Sequence, residues 1–205
     1  MSDLVPAFVT LFVIIDPIGL APLFIALTAG MAAQKRRAIA LRAVLIAFGL
    51  IALFGFAGET ILDAIGIGMP AFRISGGVLL FLTSLDMLFE RRKERREKTA
   101  DAEIANDHDP SIFPIALPLL AGPGSLTTII LLMNEHQGDV PGQFMMLGVA
   151  LFVLTIAYVL FLAAGMIERV LGQTGINVVT RVLGVLLAAL SIQFILDGLR
   201  DVGLI

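Results

Sequence analysis

The chain has 205 residues, of which 58% are hydrophobic and 15% are charged, and its mean hydropathy is +0.98. Soluble globular chains carry roughly 45–50% apolar and about 25% charged residues, so the composition excludes an ordinary soluble domain. The absence of cysteine excludes disulfides, thiol catalysis and cysteine-based metal sites. The net charge of −3 is less informative than the distribution of the charges along the chain.

Six apolar stretches follow one another along the chain, each of about twenty residues, which is enough to cross a bilayer as a helix. Their lack of alternating polarity excludes a transmembrane β-barrel. The start of the chain lacks the basic segment of a cleaved signal peptide, so we expect the first stretch to be retained. The sequence thus predicts an all-α integral membrane protein with transmembrane spans at Leu4–Leu27, Ala38–Gly58, Pro70–Phe89, Ile112–Met133, Phe144–Ile167 and Val178–Leu196.

A charged segment, 90–110, separates the third and fourth spans and has the composition of a solvated connector. Acidic residues alternate with its basic ones, which argues against nucleic-acid binding. The predicted organisation is therefore a first three-helix repeat at 1–89, the connector at 90–110 and a second three-helix repeat at 111–205.

Basic residues indicate the orientation of the spans. Only Arg73 and Arg200 fall on the side opposite to the other basic residues. By the positive-inside rule, both termini are predicted to lie outside, with connectors one, three and five in the cytoplasm. The residues that decide this lie in connectors one, three and five: Lys35, Arg36, Arg37, Arg42, Arg91, Arg92, Lys93, Arg95, Arg96, Lys98, Arg169 and Arg181.

Proline and glycine interrupt two of the spans near their centres. The first interruption is Asp16-Pro17-Ile18-Gly19 in span one, and the second is Gly122-Pro123-Gly124-Ser125 in span four. Backbone groups freed in hydrocarbon must bond to neighbouring helices, a cavity or a ligand. Paired breaks in corresponding halves indicate a transporter site near the midplane, and three spans per half make the second repeat inverted. Packing kinks are the alternative, because Pro and Gly are common in membrane helices.

The breaks suggest a chemistry for the ligand. The amide groups at the start of a half-helix suit a carboxylate, and the carbonyls that end one suit an ammonium group or a cation. Such a site would complement a small zwitterion. For Thr83 and Ser191, bonding back to their own helix is the alternative to lining the cavity. The candidate substrate-binding residues are Asp16, Pro17, Gly19, Gly122, Pro123, Gly124, Ser125, Thr127, Thr128, Thr83 and Ser191.

Two charged residues carry alternative interpretations. Asp16 is a carboxylate deep within a span, so it could bind a substrate ammonium or a coupling proton. It is equally suited to be the N-cap of the half-helix that begins at Pro17. Arg73 begins span three and could pair with carboxylates or extend to lipid phosphates.

Enzyme motifs are absent from the sequence. His108 and His136, the two histidines, are predicted to lie on opposite membrane faces. There is no HExxH sequence, phosphate-binding loop or nucleophile–base pair. The sequence therefore predicts no catalytic residue, no metal site and no cofactor.

Four stretches resemble the MarC family of inner-membrane proteins. The resemblance implies six helices in two inverted triplets and, from characterised relatives, transport of small neutral amino acids such as glycine and alanine. It also implies a substrate site at the breaks in spans one and four. Many members have Asn at the position of Asp16, where Asp adds a titratable charge. The stretches are Asp16-Pro17-Ile18-Gly19-Leu20-Ala21-Pro22, Phe72-Arg73-Ile74-Ser75-Gly76-Gly77, Leu117-Pro118-Leu119-Leu120-Ala121-Gly122-Pro123-Gly124 and Gln173-Thr174-Gly175-Ile176-Asn177-Val178-Val179-Thr180-Arg181.

The prediction is thus a secondary carrier of small neutral amino acids that works by alternating access, with H⁺ or Na⁺ as the coupling ion. Its partners are a zwitterionic substrate and membrane lipid, without nucleic acid, and a homo-oligomer remains open. The alternatives are a non-transporting structural or regulatory membrane protein, and a passive channel or exporter of other small solutes.

Overall fold

The structure is a computed structural model that describes residues 4–89 and 109–204. The regular elements within these residues are all helices. Most of the predicted connector, including His108, lies outside the described residues. The helices are α1 Leu4–Ile15, α2 Pro17–Leu27, α3 Ala33–Ala64, α4 Met69–Leu88, α5 Ser111–Leu120, α6 Pro123–Glu135, α7 Val140–Leu162 and α8 Ala164–Asp201.

The helices are long and apolar enough to account for the predicted spans. Five described segments qualify: α1 with α2, then α3, α4, α7 and α8. The pair α5 and α6 is bent by 56° and provides a sixth if it is one span. Many large apolar side chains of α3, α4, α7 and α8 are exposed, as expected of surfaces that face lipid.

Several helix ends differ from the predicted spans. Helix α3 corresponds to the second predicted span, Ala38–Gly58. It begins at Ala33, five residues before the predicted start, because a helix can continue through charged residues beyond the hydrocarbon. The fifth span was predicted to reach Ile167, but α7 ends at Leu162 and α8 begins at Ala164. Within α8, Gly172 has φ 60° and ψ 175°, a conformation open mainly to glycine. The predicted sixth span follows this break.

Helices α4 and α8 pack closely through paired small residues. A Cβ on Gly77 would lie 2.7 Å from the carbonyl oxygen of Ser191, and a Cβ on Gly184 would lie 3.4 Å from that of Ser84. Both serine side chains are buried, and each hydroxyl donates to the carbonyl three residues earlier at 2.7 Å. The glycines therefore allow close backbone approach, while the hydroxyls are satisfied within their own helices.

The buried apolar residues form two clusters. The larger joins α1, α2, α3, α5, α6 and α7, and it includes Phe24 and Phe161, whose rings stack 4.7 Å apart. The smaller joins α1, α4 and α8 through residues such as Ile14, Leu80 and Leu187. The first half of the chain and the second half therefore share both cores.

Some of the helix contacts recur between the two halves, whereas those of α1 with α6 and with α8 have no counterpart of similar extent. Helix α2 packs on α7 and α6 packs on α3, while α1 packs on α7 and α5 packs on α3. Likewise, α2 contacts α8 and α6 contacts α4. Exchanging each helix of the first half for its counterpart in the second half therefore converts these contacts into one another.

Candidate functional site

The first interruption occupies a single residue. Helix α1 ends at Ile15 and α2 begins at Pro17, while Asp16 between them has φ 54° and ψ 60°, a left-handed conformation that is uncommon outside glycine. Backbone hydrogen bonds continue on both sides of it: the Asp16 N–H donates to the Phe12 carbonyl at 2.9 Å, and its carbonyl accepts from the Leu20 N–H at 3.1 Å. The helical path therefore resumes at once.

The Asp16 side chain is fully buried and folds back over the start of α2. Its Oδ1 accepts a hydrogen bond from the Gly19 N–H at 3.1 Å, which confirms the predicted N-cap. A Cβ on Gly19 would overlap the Asp16 carboxylate. Glycine is therefore needed at position 19 to admit this carboxylate, a role that the sequence did not indicate.

The second interruption is wider and includes α5 itself. Phe113 and Leu117 have extended backbone conformations, with φ/ψ of −124°/127° and −121°/130°, and each precedes a cis-proline. Residues before proline favour this conformation for steric reasons. At the end of the segment the Ala121 N–H donates to the Ala116 carbonyl, five residues back, at 2.9 Å. The bend of 56° to α6 follows.

Ser125 satisfies part of the backbone at this bend. Its hydroxyl is within donating distance of the Leu120 carbonyl, at 2.9 Å, and of the Gly122 carbonyl, at 3.0 Å. A Cβ on Gly122 would overlap the carbonyl oxygen of Pro118. The single hydroxyl proton can serve only one of these carbonyls fully at a time, so Ser125 satisfies part of the carbonyl capacity at a break where free carbonyls were predicted.

The two interruptions lie close together although they are about a hundred residues apart in sequence. A Cβ on Gly124 would be 3.1 Å from Cγ2 of Ile14 and 3.0 Å from Cδ2 of Leu80. Ile14 lies two residues before Asp16, near the end of α1. The first turn of α6 is therefore packed against the last turn of α1 and the middle of α4.

Two threonines follow on α6 and differ in their surroundings. The Thr127 methyl occupies the space that a Cβ on Gly76 would need. Thr128 is fully buried, and its Oγ1 has no hydrogen-bond partner. It lies one helical turn after Gly124 and so on the same face of α6, the face that contacts Ile14. A buried hydroxyl without a partner costs about 1–3 kcal/mol, which makes Thr128 a candidate ligand group.

The other predicted site residues are more dispersed. Pro17 is buried at the start of α2, whereas Pro123 is exposed at the start of α6. Thr83 donates to the Leu79 carbonyl at 2.9 Å, and Ser191 lies in the contact between α4 and α8. Both hydroxyls make the intrahelical bonds that were the alternative to a cavity role. A part in substrate binding remains a prediction for all of these residues.

An ion-pair network closes one end of the bundle. Arg73, whose side chain is 12% exposed, donates to Asp201 at 3.0 Å and to Glu135 at 3.3 Å. These ion pairs confirm the predicted pairing of Arg73 with carboxylates, and they join α4 to both α6 and α8. At the end of α3, Glu59 accepts from Asn134 at 3.0 Å and from the residue-137 amide at 2.8 Å. Nothing in the sequence indicated these particular partners, because they are distant along the chain.

A second ion pair lies at the beginning of α5. Arg42 of α3 pairs with Asp109, and the Ser111 N–H donates to Asp109 at 3.0 Å. Burial opposes the charged form of this carboxyl, but the Ser111 hydrogen bond and the positive charges of Arg42 and Lys35 outweigh it. The pKa of Asp109 is therefore below its usual value. The same helix pair, α5 and α6, is thus tied to its neighbours at both ends.

The candidate site is closed in this conformation. Asp16, Ser125 and Thr128 are all buried, so a solute can reach them only after helices move. The described residues contain no group of three or more His, Asp or Glu side chains that could hold a metal ion. The available ligand groups are therefore a carboxylate, hydroxyls and backbone amides.

Comparison with known proteins decides the family. The profile of the family described as MarC family integral membrane protein matches residues 1–202. The chain belongs to the MarC family. One MarC relative is a "UPF0056 membrane protein" of Aquifex aeolicus, which is 37% identical over 96% of this chain and 92% of its own length. Another is the "UPF0056 inner membrane protein YhgN" of Escherichia coli, which is 34% identical over 98% of each chain. A relative from Archaeoglobus fulgidus is 37% identical over 98% of this chain and 94% of its own length.

No solved structure significantly matches this MarC family chain. The relatives are named as membrane proteins, and the Escherichia coli relative YhgN as an inner membrane protein. Membership of the MarC family therefore establishes a multi-pass integral membrane protein. The names of these relatives assign neither an enzymatic activity nor a transported solute.

Proposed function

We propose that this protein is a secondary transporter of small neutral amino acids, such as glycine and alanine, located in the cytoplasmic membrane with both termini outside. The observation that carries the proposal is the meeting of the two interruptions, where Gly124 packs against Ile14, two residues before the buried Asp16. Two helix breaks that are distant in sequence therefore lie near each other, and each carries buried polar side chains: the Asp16 carboxylate at one, and the Ser125 and Thr128 hydroxyls at the other. This is the arrangement that a small zwitterion requires.

Inverted repeats, with spans one and four broken near the membrane midplane, form the second part of the proposal. The reciprocal contacts support them, because Gly77 against Ser191 and Gly184 against Ser84 exchange when the halves are exchanged. The equivalence that these contacts favour pairs Gly77 with Gly184 and Ser84 with Ser191. The bundle could then open toward either side by moving one repeat against the other.

Within this proposal, Asp16 and Thr128 have distinct roles. The Asp16 carboxylate, already held by Gly19, accepts the substrate ammonium or carries a coupling proton. The Thr128 hydroxyl, which has no partner in the closed conformation, bonds the substrate. Coupling to H⁺ requires Asp16 to titrate, and coupling to Na⁺ is the alternative.

A specific observation favours a second candidate, a non-transporting membrane protein. Asp16 and Ser125 both make local hydrogen bonds, as they would if the breaks served only packing. A passive channel or an exporter of other small solutes is the remaining alternative. A carrier saturates and shows counterflow, whereas a channel does neither.

Uptake by purified protein in liposomes tests the proposal. Labelled glycine, alanine and serine are offered with an imposed H⁺ or Na⁺ gradient. We expect saturable, gradient-dependent uptake that Asp16→Asn weakens tenfold or more, since hydrogen bonds to charged groups contribute about 1.5–3 kcal/mol. Asn can still cap α2, so the fold should be retained.

Asp63→Asn is the matched control, because Asp63 is exposed at the end of α3. The control should transport as the unaltered protein does. Absence of saturable uptake of all three amino acids under every gradient would refute transport of this substrate class. A pH profile unchanged by Asp16→Asn would reject the proton role.

A further inference from the structure

A small cleft lies at the end of the bundle where α2 ends, α3 begins and α7 ends. Its volume is about 130 Å³. This end carries the basic connectors and lies two helical turns beyond Asp16 along α2, so the cleft is separate from the interruptions. The lining residues are Phe24, Ala33, Arg36, Arg37, Phe161 and Leu162.

The floor of the cleft is rigid and holds one of the arginines in place. The rings of Phe24 and Phe161 are stacked in parallel, 4.7 Å apart with an interplanar angle of 4°, and both are nearly fully buried. The Arg36 guanidinium carbon lies 5.8 Å from the centre of the Phe24 ring, within the range of a cation–π contact. The guanidinium is therefore oriented before any ligand arrives.

The positive charge of the cleft is not neutralised within the described part of the chain. Among residues 4–89 and 109–204, no carboxylate lies within 4.0 Å of Arg36 or Arg37. The acidic residue Asp109 is engaged by Arg42 instead. Helix α3 also begins beside the cleft without a side-chain N-cap, so its amide dipoles add to the positive potential.

We propose that this cleft binds a phosphate-type oxyanion. Guanidinium groups present N–H donors in a planar arrangement that matches phosphate oxygens, and two of them converge here. The volume suits one phosphate group, and Leu162 at the rim is 42% exposed and can contact an acyl chain. The oxyanion is the phosphate of a membrane lipid or a free phosphate ion. The site is independent of the transport proposal.

The test uses the full-length protein and two charge-matched double variants. Arg36→Gln/Arg37→Gln removes the cleft arginines, and Lys35→Gln/Arg169→Gln removes two exposed basic residues of the same end that do not line it. Native mass spectrometry measures retention of phosphatidylglycerol, with phosphatidylcholine for comparison. Calorimetric titration of delipidated protein with inorganic phosphate measures binding of the free ion.

We expect the arginine variant to bind roughly tenfold or more weakly, because each basic residue near a membrane surface contributes about 1 kcal/mol. The lysine-containing control should bind as the unaltered protein does. An effect confined to phosphatidylglycerol identifies a lipid phosphate, and an effect on titrated phosphate identifies a free oxyanion. The proposal is overturned if neither ligand binds or if both double variants weaken binding equally. Circular dichroism and the gel-filtration profile verify that each variant is folded.

Discussion

Thr128→Val offers the most direct test of the candidate site, because it separates stability from function. The Thr128 side chain is fully buried and its hydroxyl has no hydrogen-bond partner. Valine has nearly the same shape but no hydroxyl. In the absence of substrate the substitution therefore removes a desolvated polar group without creating a large cavity.

The expected gain follows from the cost of an unpaired buried hydroxyl, about 1–3 kcal/mol. For a chain of this size, 1 kcal/mol corresponds to a rise in melting temperature of roughly 2–4 °C. We therefore expect Thr128→Val to melt several degrees higher in detergent without substrate, followed by circular dichroism. Uptake in liposomes should weaken by about three- to tenfold in apparent affinity if the hydroxyl bonds the substrate.

Two comparisons determine how the result is interpreted. Thr155→Val is the matched control, because Thr155 is exposed on α7 and its hydroxyl already donates to the Leu151 carbonyl at 2.8 Å. Ser125→Ala should be destabilising, since that hydroxyl donates its proton to a carbonyl at the bend, with Leu120 and Gly122 both within reach. The reasoning is refuted if Thr128→Val lowers the melting temperature as Ser125→Ala does, or if uptake by Thr128→Val matches that of Thr155→Val.

Three further predictions concern the rest of the bundle. Gly77→Ala should destabilise the protein by about 1–3 kcal/mol, because its Cβ would lie 2.7 Å from a backbone carbonyl oxygen of α8. The control Gly148→Ala should not lower the melting temperature, because there is open space around Gly148. Arg73→Gln should cost about 1 kcal/mol in thermal unfolding and progressively less as salt is added, because both carboxylate partners are exposed. Because the pKa of Asp109 is lowered in the folded state, its carboxylate stabilises the fold above pH about 4, and this contribution is lost as the pH falls through the folded-state pKa. Arg42→Gln should reduce this part of the acid sensitivity, as measured by a pH series of melting curves.

The spans could be predicted from the sequence because hydrocarbon demands long apolar helices, but their ends could not. Helix α3 continues through Lys35 and its basic neighbours, where apolarity ceases but nothing breaks the helix. In α8, the kink at Gly172 depends on a left-handed conformation, and a glycine alone does not reveal which conformation it adopts. The extended residues of α5 were predictable in principle, since each precedes a proline.

The positions of the two interruptions were predictable from the sequence, but the contacts around them were not. Proline and glycine indicated where helices would be interrupted, and capping was one of the two roles predicted for Asp16. The sequence did not show that Gly19 is needed to admit the Asp16 carboxylate, because that depends on how the carboxylate folds back. Nor could it show that Gly124 reaches Ile14, or that Thr128 lacks a partner. Both depend on how distant helices pack.

The ion pairs at the two ends of the bundle help to explain why the site between them is closed. At one end Arg73 joins α6 to α4 and α8, and at the other Arg42 pairs with Asp109, two residues before α5. The bent segment that carries Gly124 is thus tied to its neighbours at both of its ends. In a carrier, opening toward one side requires the contacts on that side to separate while those on the other persist. The Arg42 pair is about half exposed and so weakly stabilising, whereas the Arg73 side chain is 12% exposed and bridges two helices. In such a carrier, we therefore expect opening at the end that carries Arg42, which is also the end with the basic connectors.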